Sequence, residues 1–349
     1  MPELLSITKG VNELRFENFF STVETHTCGD PTRTVIGGLP PIPGDTIEDK
    51  MLYLKEEKDW VRRTLMHQPR GNEVQAGAIL TEPCSEEADI GVIYTEVGGY
   101  LYMCGHNTIG VATALVETGM VEAEEPFTQV NLETPAGVVE VKVKVEDGLA
   151  KEVSFTNVPS FVFAQDVKVN VPGYGDFAVD VAYGGLYYVM VDGEKLDFDP
   201  NSDNYDKIIR FAKEVRPRLN EEIDVYHPEK SFIDEVTHVL ISAPPTRTDA
   251  EYKNAVVIPS NSVSRSPCGT GTAAKLALLH RKGKKGLGEE FVHEGAMTNT
   301  IFKAKAIKEA EVGDFPAIVP EITGSAYITG MNTYFTDPDD PLKNGFSLG

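Results

Sequence analysis

Basic side chains are scarce in this sequence: 32 Lys and Arg stand against 54 Asp and Glu, a formal charge of −22 over 349 residues. Such a chain has no basic face to offer a phosphodiester backbone or an anionic lipid surface. Nucleic-acid and membrane partners are therefore excluded, and the acidity reads as solubility. Cysteine is sparse too. Four residues, Cys28, Cys84, Cys104 and Cys268, with no Cys-x-x-Cys spacing, exclude a disulfide framework and point to a reducing, cytoplasmic setting. Long apolar runs are missing as well. Residues 97–116 carry no acidic or basic side chain, but four glycines, His106, Asn107 and two threonines fit a strand, a turn and a helix better than a membrane span. Residues 1–10 lack the basic and apolar segments of a secretory signal, so none is expected. Cys268-Gly269-Thr270-Gly271-Thr272 lacks the Gly-Lys-Ser/Thr ending of a phosphate loop, which excludes that mode of nucleotide binding.

What is present is organised around residues 100–110 (YLYMCGHNTIG), where an apolar, aromatic run turns through Cys104 and Gly105 into a helical pattern. Residues 264–275 (SRSPCGTGTAAK) repeat the arrangement around Cys268 and Gly269. At about 100–200 residues per domain the length predicts two domains, one for each Cys-Gly turn. Residues 13–23 alternate as a strand. Asp45 or Thr46 caps a helix running to His67, where Pro69 stops it, and 76–80 and 90–94 are short strands. Gly105–Glu117 is a helix closed by Gly119. Residues 128–162 read as strand after strand, with a hairpin at Glu146-Asp147-Gly148, and 177–191 open a second run. Residues 205–219 and Gly269–Arg281 are helical, with strands at 236–242, 255–259, 289–307 and 317–335. Both halves share the order strands, Cys-Gly helix, strands, a domain-scale repeat. The alanines and glycine of 105–117 imply a helix threaded closely through a cage of strands. The expectation is a mixed α/β (α+β) chain of two similar lobes: 1–165 plus 324–349, carrying Cys104, and 166–323, carrying Cys268.

The first N–H groups of a helix lack internal partners and carry partial positive charge. A thiolate or carboxylate there is stabilised, and a cysteine pKa is expected to move from about 8.5 toward neutrality. Two such thiols suit one task. Inverting a carbon that bears one hydrogen needs a base on one face and an acid on the other, and two equivalent groups exchange those roles between directions. Paired helix N-termini also bind a substrate carboxylate whose charge grows as the carbanion becomes enolate-like, a route that in principle requires no metal or pyridoxal cofactor. The rival readings are a thiolate metal site of Cys104, His106 and Cys268, and a non-catalytic amino-acid-binding protein. His67, His227, His238, His280 and His293 sit in charged or loop contexts and are expected to make surface or ordinary polar contacts. Cys28 and Cys84 read as structural or incidental.

Residues 103–110 (MCGHNTIG) and 265–272 (RSPCGTGT) resemble the two signature segments of the proline racemase family, which comprises proline racemases, hydroxyproline 2-epimerases and trans-3-hydroxyproline dehydratases. Further segments are similar to that family in the same order: Thr25-His26-Thr27 with Gly29-Asp30-Pro31-Thr32-Arg33, Pro69-Arg70-Gly71, 180–185 (DVAYGG), and 327–330 (YITG) through 337–342 (DPDDPL). The likeness covers nearly the full chain. It implies a diaminopimelate epimerase-like fold, two strand-rich lobes each wrapped around a central helix, with the active site in the cleft between them. It implies a racemase or epimerase that inverts Cα of proline or hydroxyproline, with Cys104 and Cys268 as the acid/base pair. Gly105, His106, Gly269 and Thr270 would hold the substrate through backbone N–H groups and, for His106, its ring. No cofactor and no metal are implied, and a homodimer is. The dehydratases resemble this pattern but carry threonine at the second cysteine, which makes a lyase the alternative.

Three positions depart from the family pattern. An aspartate that meets the substrate amino group is usual where this chain has Ser264, and phenylalanines are usual near Ala76 and Ile258. Losing a carboxylate and two rings is expected to weaken recognition of a cyclic ammonium and to enlarge the pocket. Ser264 is then the position that decides substrate choice, and an aspartate there is expected to favour proline.

Overall fold

The computed structural model describes residues 16–347. The strand expected at 13–23 is found as β1 (Asn18–Thr27); residues 13–15, like 1–10, lie outside the described residues. The further strands are β2 (Asp30–Gly37), β3 (Ala76–Thr81), β4 (Ile90–Glu96), β5 (Gly99–Leu101), β6 (Phe127–Thr134), β7 (Gly137–Glu146), β8 (Leu149–Thr156), β9 (Ser160–Val171), β10 (Gly175–Tyr183), β11 (Tyr187–Asp192), β12 (His238–Ala243), β13 (Tyr252–Val257), β14 (Phe291–Gly295), β15 (Ile301–Val312), β16 (Phe315–Gly324) and β17 (Ala326–Thr336). The helices are α1 (Ile47–Glu57), α2 (Asp59–Met66), α3 (Gly105–Glu117), α4 (Tyr205–Glu222) and α5 (Gly269–Arg281).

Pairing senses repeat between the lobes. In the first, β17, β1 and β2 are antiparallel neighbours, β2 runs parallel to β3, β3 antiparallel to β4, and β4 parallel to β6, after which β6, β7 and β8 are antiparallel. In the second, β9, β10 and β11 are antiparallel, β11 is parallel to β12, β12 antiparallel to β13, and β13 parallel to β14, with β14, β15 and β16 antiparallel. β16 returns to β9 through Ala317 and Ile318, which closes that barrel. Its last residues, 321–324, pair with β8 and join the lobes.

Parallel neighbours cannot be joined by a tight turn, so each parallel step is bridged by a helical crossover. Two of these crossovers lie outside the barrels, α1 with α2 and then α4. α4 buries Ile208, Phe211, Ala212, Val215 and Leu219, the one-sided spacing of a surface helix. The other two are enclosed. Residues 107–116 of α3 and 269–279 of α5 are buried without interruption, as only a helix surrounded by protein can be. Small residues let the strands close in: a Cβ on Gly110 would stand 2.6 Å from Thr25 Oγ1 and 2.9 Å from Thr32 Oγ1. Ile109 and Leu115, both 0 % exposed, each contribute about 1.5–3 kcal/mol by burial.

Two expectations are corrected. The single helix to His67 is two helices, because Lys58 leaves helical geometry (φ −135°, ψ 22°). The charged run 55–59 offers no apolar residue to hold one axis, and Asp59 begins a new turn by receiving Arg62 Nε and NH2 at 2.7 and 2.9 Å. The break lets Met51 and Leu54 from α1 and Val61 and Leu65 from α2 enter one cluster with Phe20, Val35, Ile79 and Ile93. Thr46 is the cap, in a box with Asp49. The second concerns the histidines expected at the surface or in ordinary polar contacts: His227, His238 and His293 are buried, so for them only the polar-contact reading holds. His238 and His293 lie on β12 and β14, where their Nδ1 atoms meet Thr237 Oγ1 and Thr272 Oγ1, and His293 Nε2 is buried without a partner among the described residues. No helix among the described residues is long and apolar enough to cross a membrane.

Candidate active site

Cys104 and Cys268 are the N-caps of the two enclosed helices, and neither helix has a capping side-chain hydrogen bond. The first intrahelical bonds run from Thr108 N to Cys104 O and from Thr272 N to Cys268 O. The N–H groups ahead of these, on Gly105, His106, Gly269 and Thr270 among others, are left for a ligand. The two helix starts meet: a Cβ on Gly105 would lie 2.7 Å from Gly269 Cα, and the reverse distance is also 2.7 Å. Both cysteines are free thiols, and a charge on Cys268 disfavours one on Cys104. The lobes thus bring Cys104, Gly105, Cys268 and Gly269 to one junction.

The surroundings of the two sulfurs differ. Cys104 Sγ is 3.5 Å from His106 Nδ1. Cys268 Sγ is 3.2 Å from the Tyr188 hydroxyl, which also meets Thr270 Oγ1 at 2.6 Å. Cys268 holds a positive φ of 64°, a conformation that costs a non-glycine residue about 1 kcal/mol or more. It is held there partly by Ser266 Oγ, which accepts its N–H at 3.1 Å.

Asp30, at the start of β2, reaches from the first lobe to this loop of the second. It is 3 % exposed; Oδ1 accepts from Arg265 N at 2.7 Å, and Oδ2 from Ser264 Oγ at 2.6 Å and Ser266 N at 2.9 Å. Burial opposes its charge, but the His106 ring and the bonds from Ser264, Ser266 and Arg265 outweigh it, holding the carboxyl below the ordinary range. Burial also drives the His106 ring down toward its neutral form, against the pull of Asp30. His106 Nε2 is buried without a hydrogen-bond partner.

The expectation of thiols tuned toward neutrality is reversed. Burial pushes Cys104 well above an ordinary thiol, with Cys268, Glu96 and Asp30 adding to it and the Asn107 N–H opposing. Burial raises Cys268 too, while the Tyr188 hydroxyl, the Gly271 N–H and the Thr270 hydroxyl pull it back. Helix N-termini are present as expected, yet two enclosed sulfurs lose more hydration than those N–H groups return.

Ser264 lies beside the second thiol loop, but its hydroxyl is engaged by Asp30. Ile258 packs in the cluster that contains Cys268, and Ala76 faces Glu96 across β3 and β4. Cys28 stands apart, with its sulfur 3.8 Å from Ile301 O. Tyr188 and the anchoring role of Asp30 escaped the sequence reading. Asp30 lies in a segment already singled out, whereas nothing in the aromatic strand around Tyr188 distinguishes it from core. Among the described residues no three His, Cys, Asp or Glu side chains gather as a metal site.

A family model described as "Proline racemase" matches residues 22–347. The proline racemase of Acetoanaerobium sticklandii is 46% identical over 96% of this chain and 100% of its own length. The 4-hydroxyproline 2-epimerase of Streptosporangium roseum is 44% identical with the same coverage. Among solved structures, a hydroxyproline epimerase from Agrobacterium vitis with bound trans-4-OH-L-proline superposes with a TM-score of 0.90 at 31% identity, covering 96% of this chain and 97% of that one. The match takes in both thiol-capped helices and the strands that bring them together, and the chain belongs to the proline racemase family.

Proposed function

We propose that this protein is a cofactor-independent racemase or epimerase that inverts Cα of proline or 4-hydroxyproline, with Cys104 and Cys268 as its acid/base pair. One observation carries the reading: the two thiols cap two helices whose first glycines touch. The substrate carboxylate is received by the free N–H groups of Gly105 and His106 from one helix and of Gly269 and Thr270 from the other. One sulfur, as thiolate, takes the Cα proton, and the electron pair left on Cα spreads into the carboxylate that those N–H groups stabilise. The other sulfur, as thiol, returns a proton to the opposite face. The sulfurs finish with their protonation states exchanged, ready for the reverse reaction.

Tyr188 donates to Cys268 in its thiolate form. Ser264 borders the amino-group side, and the negative charge that position lacks stands one hydrogen bond behind it, on Asp30. Cysteine at 268, where the related dehydratases carry threonine, favours inversion over elimination. We assign two units close to the expected 1–165 with 324–349 and 166–323, but with the first join moved from 165 to the start of β9 at Ser160, because 160–165 pair with β10 and β16 of the second lobe, and we propose a cytoplasmic homodimer. The exposed Phe19, Met331 and Phe335 on neighbouring β1 and β17 support self-association, which sedimentation velocity tests.

The function is tested by incubating each enantiomer of proline and of 4-hydroxyproline in deuterated water with chelator and without pyridoxal phosphate. Inversion with deuterium at Cα is expected for at least one of the two compounds. No inversion and no deuterium for either overturns the proposal.

A further inference from the structure

Glu96, the last residue of β4, has no part in the chemistry above, yet it stands at the same level of the fold as Cys104. Side chains alternate along a strand, and Val92 and Tyr94 of β4 pack in the cluster around α3, whereas Ile93 faces the cluster under α1 and α2. Glu96 therefore continues the inward row. The Tyr94 hydroxyl meets Thr108 Oγ1 at 2.7 Å, and Thr108 Oγ1 in turn binds Cys104 O at 2.8 Å, one helical turn earlier. α3 runs back past β4, so two residues further along the strand match about one turn back along the helix, and Glu96 comes level with Cys104. The negative charge of Glu96 is felt at that thiol.

Its carboxylate is buried and unclaimed. Glu96 is 6 % exposed, and among the described residues neither carboxylate oxygen has a hydrogen-bond or ion-pair partner. Arg62 reaches the Glu96 carbonyl oxygen at 3.0 Å but commits Nε and NH2 to Asp59. Across the strands Glu96 faces Ala76 on one side and Gly99 on the other, neighbours too small to cover it. Its Oε1 is 3.1 Å from where a Gly98 Cβ would stand, a point itself 3.6 Å from Pro259 Cβ of the second lobe. Gly98 and Ser260 line a groove that opens between the lobes. Burial pushes the Glu96 carboxyl up to about 7, with Arg62 opposing, so near neutral pH it is available both as an acceptor and, when protonated, as a donor.

We infer that Glu96 takes a hydroxyl on the far edge of the substrate ring, and so selects 4-hydroxyproline over proline. The inference rests on the function proposed above. With the substrate carboxylate at the helix starts and Cα between the sulfurs, the ring edge remote from both turns toward the wall that Glu96 and Ala76 share. A hydroxyl there satisfies the carboxyl. The methylene of proline leaves it buried and unpaired, which is how a polar site rejects an analogue lacking its partner.

The test is kcat/KM for trans-4-hydroxy-L-proline and for L-proline, measured on the full chain as wild type, Glu96→Gln and Glu96→Leu. The ratio of the two values cancels any inactive fraction of a variant. The ratio is expected to favour hydroxyproline in the wild type, to fall by about tenfold or more in Glu96→Leu as proline gains and hydroxyproline loses, and to fall less in Glu96→Gln, which keeps an acceptor. A ratio that stays constant across the three proteins overturns the inference while leaving the proposed function standing. Equal loss of both activities in both variants also overturns it, since Glu96 would then act on a part the two substrates share. A wild type that inverts neither compound overturns the functional reading itself.

Discussion

Gly105 and Gly269 touch across the junction of the lobes, each lying 2.7 Å from where the other's Cβ would stand. No side chain fits at either position without separating the two helix starts, and those starts carry the thiols. Alanine in a helix is ordinarily favoured over glycine by about 0.5–1 kcal/mol, so a loss on substitution reports the clash and not helix propensity. Gly269→Ala is expected to lower kcat/KM for inversion by about 100-fold, the cost of misplacing reacting groups by about an ångström, with far-UV circular dichroism unchanged. Activity within threefold of wild type would show that the helix starts need not approach so closely.

Cys104→Ser and Cys268→Ser each remove a group worth about 10²–10⁴ in rate. Because the thiols act as one pair, the double variant is expected to be little worse than either single one. Steady-state inversion rates for the three proteins check this, and a single variant that keeps full inversion would remove that cysteine from the pair.

Burial raises both thiols, so the thiolate that must act as base grows scarcer as pH falls. kcat/KM is expected to climb with pH through neutrality to a maximum above the ordinary thiol value of about 8.5, and to fall again once the second sulfur, which must return the proton as a thiol, is also ionised. Tyr188→Phe deletes a hydrogen bond that favours the Cys268 thiolate and is expected to move this acid limb further alkaline. An acid limb that stays put or moves to lower pH would mean that Tyr188 does not serve that sulfur.

Ser264→Asp reverses an expectation drawn from the sequence alone. The Ser264 hydroxyl donates to Asp30 Oδ2 at 2.6 Å, so a carboxylate at 264 would oppose Asp30, and two carboxylates at that distance do not both ionise. The variant is expected to lose thermal stability and to gain nothing in kcat/KM for proline, and a tenfold gain would contradict this.

Asp30 gives a companion test. Its carboxyl is held below its unfolded value, so its contribution is present above the unfolded carboxylate range near 3.9 and is lost as pH falls through the folded value. Asp30→Asn is expected to cost about 1.5–3 kcal/mol at neutral pH and to shrink the loss of stability on acidification, read by denaturant unfolding at pH 7 and pH 3. Equal loss at both pH values would assign Asp30 a packing role only.

The enclosed helices were legible in the sequence because Gly-rich starts, small residues and Gly119 and Gly283 mark α3 and α5 at both ends. The break at Lys58 was not, since it depends on where two apolar faces find a common cluster. The thiols could be named from Cys-Gly turns, but the direction of their pKa shift could not, because enclosure is a property of the packed barrels. Asp30 and Ser264 lie 234 positions apart in sequence, and no local pattern announces that the first lobe anchors the loop of the second. Tyr188 and Glu96 read as ordinary strand residues until β11 and β4 are paired and their inward faces are fixed.

The central claim is that two sulfurs act from opposite faces of Cα, and the fate of the Cα proton in a single conversion tests it most directly. L-Proline, or trans-4-hydroxy-L-proline if that is the compound inverted, is converted in deuterated water and stopped at a few per cent conversion, and deuterium at Cα is measured separately in product and in unreacted substrate. The account predicts product carrying deuterium and remaining substrate still carrying protium, because the thiol that delivers the proton is not the one that received it. Product that retains the original protium would show one base working on both faces and would contradict the pairing of Cys104 with Cys268.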